Sequence, residues 1–316
     1  MLWAGRSDAF RDLDDGLRRA ARSDSNVLLV GASGTGKGAA ARRLVELGPR
    51  AGNAVVVADL AAVAPTLLEA HLFGHEAGAF TDARRARPGA FRTAEGGTLI
   101  LDDIDVLPLE SQPKLLRVLE ERVVEPLGSE VPVPIDVRIV ATTNRDLRAL
   151  TERGGFRADL YYRLAVVTLH VPPLRARAGD VRVLAEALVE AVARRVGVPA
   201  RPLTSAALDH LEEHPWPGNV RELENALERV LVLAADDGPI QAFEFAFLDE
   251  AVVGAADDLA RRALAAGVAV DELTHAMLQC AFEEQRGNLS AAARQVGLTR
   301  RAFEYRLARD REPEEA

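Results

Sequence analysis

Asn26-Val27-Leu28-Leu29-Val30-Gly31-Ala32-Ser33-Gly34-Thr35-Gly36-Lys37-Gly38 is the stretch whose reading decides the fold. Its first five residues form an apolar run of buried-strand type, and the Ala/Arg/Leu-rich sequence that follows, to residue 43, favours helix. Strand, glycine-rich loop, lysine and helix together make a phosphate cradle. Glycines let backbone N–H groups turn inward, the helix N-terminus adds positive potential, and Lys37 reaches the outer phosphates. Gly31 through Gly38 are therefore the expected nucleotide-binding set. The serine or threonine that usually follows the lysine, and holds Mg²⁺, is here Gly38, so the metal needs another anchor.

Outward from that loop the same alternation repeats. Residues 8–22 carry apolar positions at helical spacing and lead into the first strand. Residues 54–58 read as a second strand ending at Asp59, residues 66–73 as a helix, and residues 98–101 as a strand ending in Asp102 and Asp103. An acid at a strand end can hold Mg²⁺ and the next can orient an attacking water; alternatively the two aspartates cap the helix expected over 109–122. Residues 137–141 form a further strand that delivers Thr142-Thr143-Asn144 to the crevice where a γ-phosphate would sit. Residues 74–88 lack periodicity and read as an insertion. The series predicts an α/β fold, a three-layer P-loop domain with a parallel sheet, over residues 1–170.

From residue 171 the pattern turns helical, with helices over 180–196, 205–213 and 220–234 and a break at Trp216-Pro217-Gly218-Asn219. This predicts an all-α lid over 171–235, followed by an acidic connector over 236–270. Residues 271–316 read as helix, glycine turn, helix, with Ser290 and Thr299 as N-caps. The last helix bears Arg300, Arg301, Arg306 and Arg309, the residue type that reads guanine or grips phosphate in a major groove; the other reading is a solvated basic face on a dimerising hairpin. A formal charge of −9 argues against a surface that binds nucleic acid throughout, but leaves room for this basic module. No run approaches the roughly 18 apolar residues of a membrane span, and the start lacks the apolar core of a signal peptide. A single cysteine, Cys280, excludes an intramolecular disulfide, suits a reducing cytoplasm and reads as a small buried side chain.

Leu72-Phe73-Gly74-His75-Glu76-Ala77-Gly78-Ala79-Phe80-Thr81-Asp82-Ala83 resembles the LFGHExGAFTGA signature of AAA+ bacterial enhancer-binding proteins, the activators of sigma-54 RNA polymerase. GASGTGKG, GGTLILDDID, LPLESQPKLLRVLEER, ATTNRDL, GFRADLYYRL, VPPLRAR and WPGNVRELEN follow in the family's order, and GNLSAAARQVGLTRRAFEYRL resembles its Fis-type helix-turn-helix. The likeness runs from about residue 4 to 307. It implies ATP and Mg²⁺ bound between subunits of a ring, usually a hexamer. Asp102 would then handle the metal and Asp103 the water. Thr143 and Asn144 would act as the first sensor and Arg221 as the second, with Arg157 and Arg163 reaching the neighbour's site. Gly78, Ala79, Phe80, Thr81, Asp82 and Ala83 would form the loop that grips sigma-54, although Phe80 taken alone reads as a core aromatic. Double-stranded upstream DNA would be the tail's partner.

Three departures fall on working parts. Asp103 stands where the family has a glutamate, Asp59 where it has an asparagine that hydrogen-bonds that acid, and Asp82 where the loop signature has glycine. A shorter acid implies slow hydrolysis. Two close carboxylates repel, and an ionised aspartate cannot donate the asparagine's bond. Gly38 also replaces the family's usual glutamate. These departures leave open a DNA-binding regulator without remodelling, or a partner subunit of a mixed ring. With the nucleotide strand only about 25 residues from Met1, control in trans by a regulatory partner, or by expression level, is the expectation.

Overall fold

The computed structural model describes residues 3–79, 83, 85–234, 237–248, 263–285 and 287–309. Phe80, Thr81 and Asp82, expected at the loop tip, lie outside these residues.

The apolar runs become five parallel strands: β1 (Val27–Val30), β2 (Val55–Asp59), β3 (Thr98–Asp102), β6 (Arg138–Thr143) and β7 (Val167–His170), in the order β2-β3-β6-β1-β7. A hairpin of β4 (Val123–Val124) and β5 (Val133–Pro134) forms a separate small sheet. The register aligns Leu28 with Ala141 and Asp59 with Asp102, so the strand ends meet on one rim. Side chains alternate between faces. Val27, Leu29, Ile100 and Val140 pack against α1 (Asp8–Ala20) and α2 (Lys37–Glu46). Leu28, Leu99, Leu101, Ile139 and Ala141 face the other core. That core is built from α3 (Leu68–Phe73), α4 (Gly89–Thr93), α5 (Gln112–Glu121), α6 (Leu147–Glu152) and α7 (Ala158–Leu164). Central strands covered on both faces read as continuous apolar runs, which is why they are visible in the sequence. The expected three-layer α/β fold is observed.

The lid comprises α8 (Asp180–Val196), α9 (Ser205–Glu213) and α10 (Asn219–Val232). Thr204 caps α9, its hydroxyl accepting from Ala207 N–H. Trp216 is 1% exposed and its indole donates to the Leu211 carbonyl. The lid also includes residues expected in the connector. Ile240 pairs with Leu203, Phe245 is fully buried, and Arg201 forms an ion pair with Glu244 at 2.9 Å. The acidic start of that segment hides two apolar anchors.

The described residues from 246 onward belong to a separate compact unit. Within it α11 (Val270–Glu284), α12 (Leu289–Gln295) and α13 (Arg300–Arg309) close around Leu278, Ala281, Ala292, Ala293 and fully buried Phe303. Two expectations are corrected here. Asn288, not Ser290, caps α12, its side chain accepting from Ala291 N–H, and Ser290 is exposed inside the helix. Cys280 is exposed rather than buried.

The edge between β2 and β3 depends on close backbone contact. A Cβ on Gly97 would lie 2.0 Å from the Ala54 carbonyl oxygen, against the Thr98–Ala54 backbone bond. Gly97→Ala is expected to destabilise the α/β unit by about 1–3 kcal/mol, as overpacked sites do. Urea unfolding measures it, and an unchanged midpoint would refute the contact.

Candidate functional site

The loop after β1 turns on two left-handed glycines, Gly34 (φ 76°) and Gly36 (φ 97°), a conformation that costs glycine little. Gly31 N–H donates to the Thr143 carbonyl, holding the loop's entry against β6. Lys37 opens α2 and is 8% exposed; its ammonium donates to the carbonyls of Gly31 at 3.0 Å and Ala32 at 3.3 Å. Burial pulls the Lys37 ammonium below its ordinary range, and Asp103, Asp102 and Asp105 oppose that pull.

Across the rim β3 ends at Asp102, and Asp103 follows in the left-handed region (φ 54°, ψ 55°), with no cap made by its side chain. This removes the helix-capping reading for Asp103. Burial raises its carboxyl above the usual carboxylate range and the charge of Asp102 adds to the rise. Thr142 is fully buried; its hydroxyl donates to Asp102 and accepts from the Asp103 N–H. Thr143 is also fully buried, and its hydroxyl donates to Asp105 at 2.7 Å. The strand runs two residues further than its apolar stretch, so these threonines brace the acids from inside the sheet. Asn144 is exposed beyond them. Asp59 is exposed, and one of its oxygens accepts from the N–H groups of Ala61 and Ala62 at 3.1 Å each. Asp59 therefore caps its own loop, while its charge still raises Asp103.

The break at Trp216-Pro217-Gly218-Asn219 is a clasp. Val220 N–H donates to the Gly34 carbonyl, Asn219 Nδ2 to the Ser33 carbonyl at 2.9 Å, and Arg221 Nη1 to Ser33 Oγ at 2.8 Å. Asn219 Oδ1 also accepts from Leu174 N–H, at 2.8 Å, at the start of the lid. A Cβ on Gly34 would lie 2.2 Å from the Gly218 carbonyl oxygen. The family resemblance points to Arg221, whereas the residues before it read in the sequence only as a helix break. Phosphate loop, acids and clasp line one cleft with an apolar recess formed by Trp3, Phe10, Leu13, Val171, Leu184 and Leu188, and the whole cleft encloses about 460 Å³. No motif announced this recess, which is apolar as small-molecule pockets mostly are.

The remaining expected residues lie elsewhere. Arg157 and Arg163 are exposed at the two ends of α7. Arg157 pairs with Asp159 at 2.7 Å, and Arg163 donates to the Leu119 carbonyl. The ends of the signature loop meet where Gly78 N–H donates to the Ala83 carbonyl at 2.7 Å, with Ala79 packed close to Gly128. In the separate C-terminal unit Thr299 Oγ accepts from Ala302 N–H, Arg300 pairs with Glu304, and Arg301 and Arg306 are exposed.

Residues 3–170 match the model of the sigma-54 interaction domain. The chain belongs to the sigma-54 activator family. Residues 175–251 match an AAA+ ATPase lid domain, and residues 270–309 match the bacterial regulatory proteins of the Fis family. The lid match agrees with the packing of residues 240–245. Among curated members, response regulator protein FleR of Pseudomonas aeruginosa is 49% identical over 225 residues, 71% of this chain and 48% of FleR. The sigma54-dependent transcriptional activator SfnR of Pseudomonas putida is 40% identical over 305 residues, 92% of this chain and 83% of SfnR. The chain thus spans about half the length of FleR and most of SfnR. Among solved structures, NtrX from Brucella abortus superposes with a TM-score of 0.71 at 31% identity, covering 96% of this chain and 68% of NtrX. NtrX has also been solved in complex with ADP and with ATP. Among the described residues no helix is long and apolar enough to cross a membrane.

Asn219 holds φ 57° while 2% exposed, a backbone state that asparagine tolerates better than most residues. Asn219→Ala loses both the bonds and that tolerance, whereas Asn219→Gly loses only the bonds. In urea unfolding the alanine variant is expected to be the weaker of the two by about 1 kcal/mol; equal midpoints would contradict the strain argument.

Proposed function

We propose that this chain is an ATP-hydrolysing remodeller of sigma-54 RNA polymerase, acting from upstream DNA as a ring of like subunits. The observation that carries the reading is the single cleft joining phosphate loop, paired acids and lid arginine, in a chain of this family. ATP would seat its phosphates on the Gly31–Gly38 loop and its base in the recess walled by Trp3 and Phe10. Lys37, already buried at the loop, would exchange its two carbonyl partners for phosphate oxygens. Arg221 reaches the loop through Ser33 and so can report the phosphate state to the lid.

Among the described residues no three His, Cys, Asp or Glu side chains converge as a protein-only metal site. Mg²⁺ is commonly held by one or two carboxylates and the substrate's own phosphates. Asp102 fits as that carboxylate, because the Thr142 bond engages one of its oxygens and leaves the other. When bound, Mg²⁺ neutralises charge on the β- and γ-phosphates. Asp103 would orient the attacking water, and Asn144, the exposed polar group beyond β6, would touch the γ-phosphate. Buried Thr143 instead sets the strand's position through Asp105. Arg157 and Arg163 would supply positive charge to the next subunit's site, a contribution worth roughly 10³–10⁵ in rate in the GTPase precedent. The loop bearing Phe80 and Thr81 would carry the resulting motion to sigma-54. The tail would hold the assembly on double-stranded DNA through Arg300, Arg301 and Arg306.

Turnover per chain is expected to rise cooperatively with protein concentration, because hydrolysis needs the neighbour's arginines. Asp103→Glu should raise kcat by up to about 10²-fold and Asp103→Asn should abolish it. A purified chain that shows no turnover at any concentration, with either acid, contradicts the remodeller and favours a binding-only or mixed-ring role. Cooperative turnover without open-complex formation at a sigma-54 promoter would point to Asp82.

A further inference from the structure

Asp180 is a fully buried carboxylate outside the phosphate machinery, and its four bonds go to Arg6, Ser7 and Arg177, the last of which lines the recess. One oxygen accepts from the backbone N–H groups of Arg6 at 2.5 Å and Ser7 at 2.8 Å. The other accepts from the Ser7 hydroxyl and from Arg177 Nε, both at 2.8 Å. Arg177 in turn donates to the Ala4 carbonyl at 2.9 Å and lies 4.9 Å over the Phe10 ring. Trp3 packs on Phe10 with ring centroids 4.9 Å apart. Gly5 is needed beneath, since a Cβ there would lie 2.5 Å from the Phe10 ring and 2.7 Å from Asp180 Oδ2. Asp180 is also the first residue of α8, whose Leu184 and Leu188, one and two turns on, line the same recess.

We infer that Asp180 is a positioning residue for the nucleotide base, a buckle that fixes the arm of residues 3–7 and the lid helix α8 at the separation a base needs. The inference rests on the nucleotide reading proposed above and adds to it the group that sets the recess. One carboxylate sets both walls. With four donors aimed at its two oxygens it is fully satisfied, so its burial is not a defect. A buried ion pair contributes little to stability compared with an apolar pair of the same volume, which makes geometric specification the better account of this one. The consequence concerns the base alone. The phosphates rest on the loop after β1 and on the lid clasp, neither of which Asp180 touches.

The test separates base from phosphate. Binding of ADP and of inorganic tripolyphosphate is measured by calorimetry on the full chain and on Asp180→Asn. The variant is expected to weaken ADP by about tenfold, the cost of disrupting a charge-assisted cluster, and to leave tripolyphosphate within about twofold. Hydrogen exchange on the unaltered chain gives the same answer without a mutation. ADP should slow exchange across residues 3–7, and tripolyphosphate should slow it only around residues 31–38. Should Asp180→Asn fail to fold, Ser7→Ala removes a single bond to the same carboxylate and should show the ADP-selective loss in smaller measure. Equal weakening of both ligands, weakening of neither, or arm exchange indifferent to ADP overturns the inference. Failure of the unaltered chain to bind ADP at all overturns the nucleotide reading instead.

Discussion

The phosphate loop and the lid touch through backbone at one point, and much of the molecule is arranged to allow it. The Gly218 carbonyl sits where any side chain on Gly34 would go, and Val220 N–H returns a bond to the Gly34 carbonyl. Only a left-handed glycine in the loop permits that approach. Asn219 then ties three pieces together: the loop through Ser33, its own turn through Pro217, and the lid's first residues through Leu174. Buried Trp216 fixes the turn from behind by its bond to Leu211. A lid held this way does not simply cover the cleft; it supplies part of the loop's hydrogen bonding.

On the other side of the cleft the sheet performs the matching task. β3 and β6 end side by side, and two buried threonines of β6 carry hydrogen bonds to Asp102 and Asp105 of the neighbouring segment. The acids are therefore positioned from within the core, and burial rather than any partner dominates the upward shift of Asp103. Asp59 does not turn to Asp103 as a hydrogen-bond partner but caps residues 61 and 62. It remains close enough in the register, opposite Asp102, to add negative charge.

Legibility in the sequence followed the range of the interactions. The central strands were readable because burial on both faces demands unbroken apolar runs. α8 and α9 were readable to the residue because Gly179, Gly197 and Thr204 punctuate them. The phosphate loop was readable because left-handed turns demand glycine. Thr142 and Thr143 read in the sequence as a polar tip; in the structure they end β6 buried, with their hydroxyls on Asp102 and Asp105. Ile240 and Phe245 were assigned to a connector because Asp237 and Gly238 dominate the local composition. Exposed Cys280 shows that residue type alone does not decide burial on a helix of mixed character. The apolar recess was invisible, since it joins residues 3–13 to residues 171–191 through bonds spanning more than 170 positions. Motifs report chemistry that is local in sequence, and this wall of the site is not.

The central claim is that the lid turn seated on the phosphate loop makes the nucleotide site. Calorimetric titration of ADP into Gly34→Ala tests it most directly, because the added methyl strikes the Gly218 carbonyl and leaves Lys37, Asp102 and Asp103 in place. The account predicts a folded chain with unchanged circular dichroism whose affinity for ADP falls by about tenfold or more. A folded Gly34→Ala chain that binds ADP as tightly as the unaltered one would contradict it.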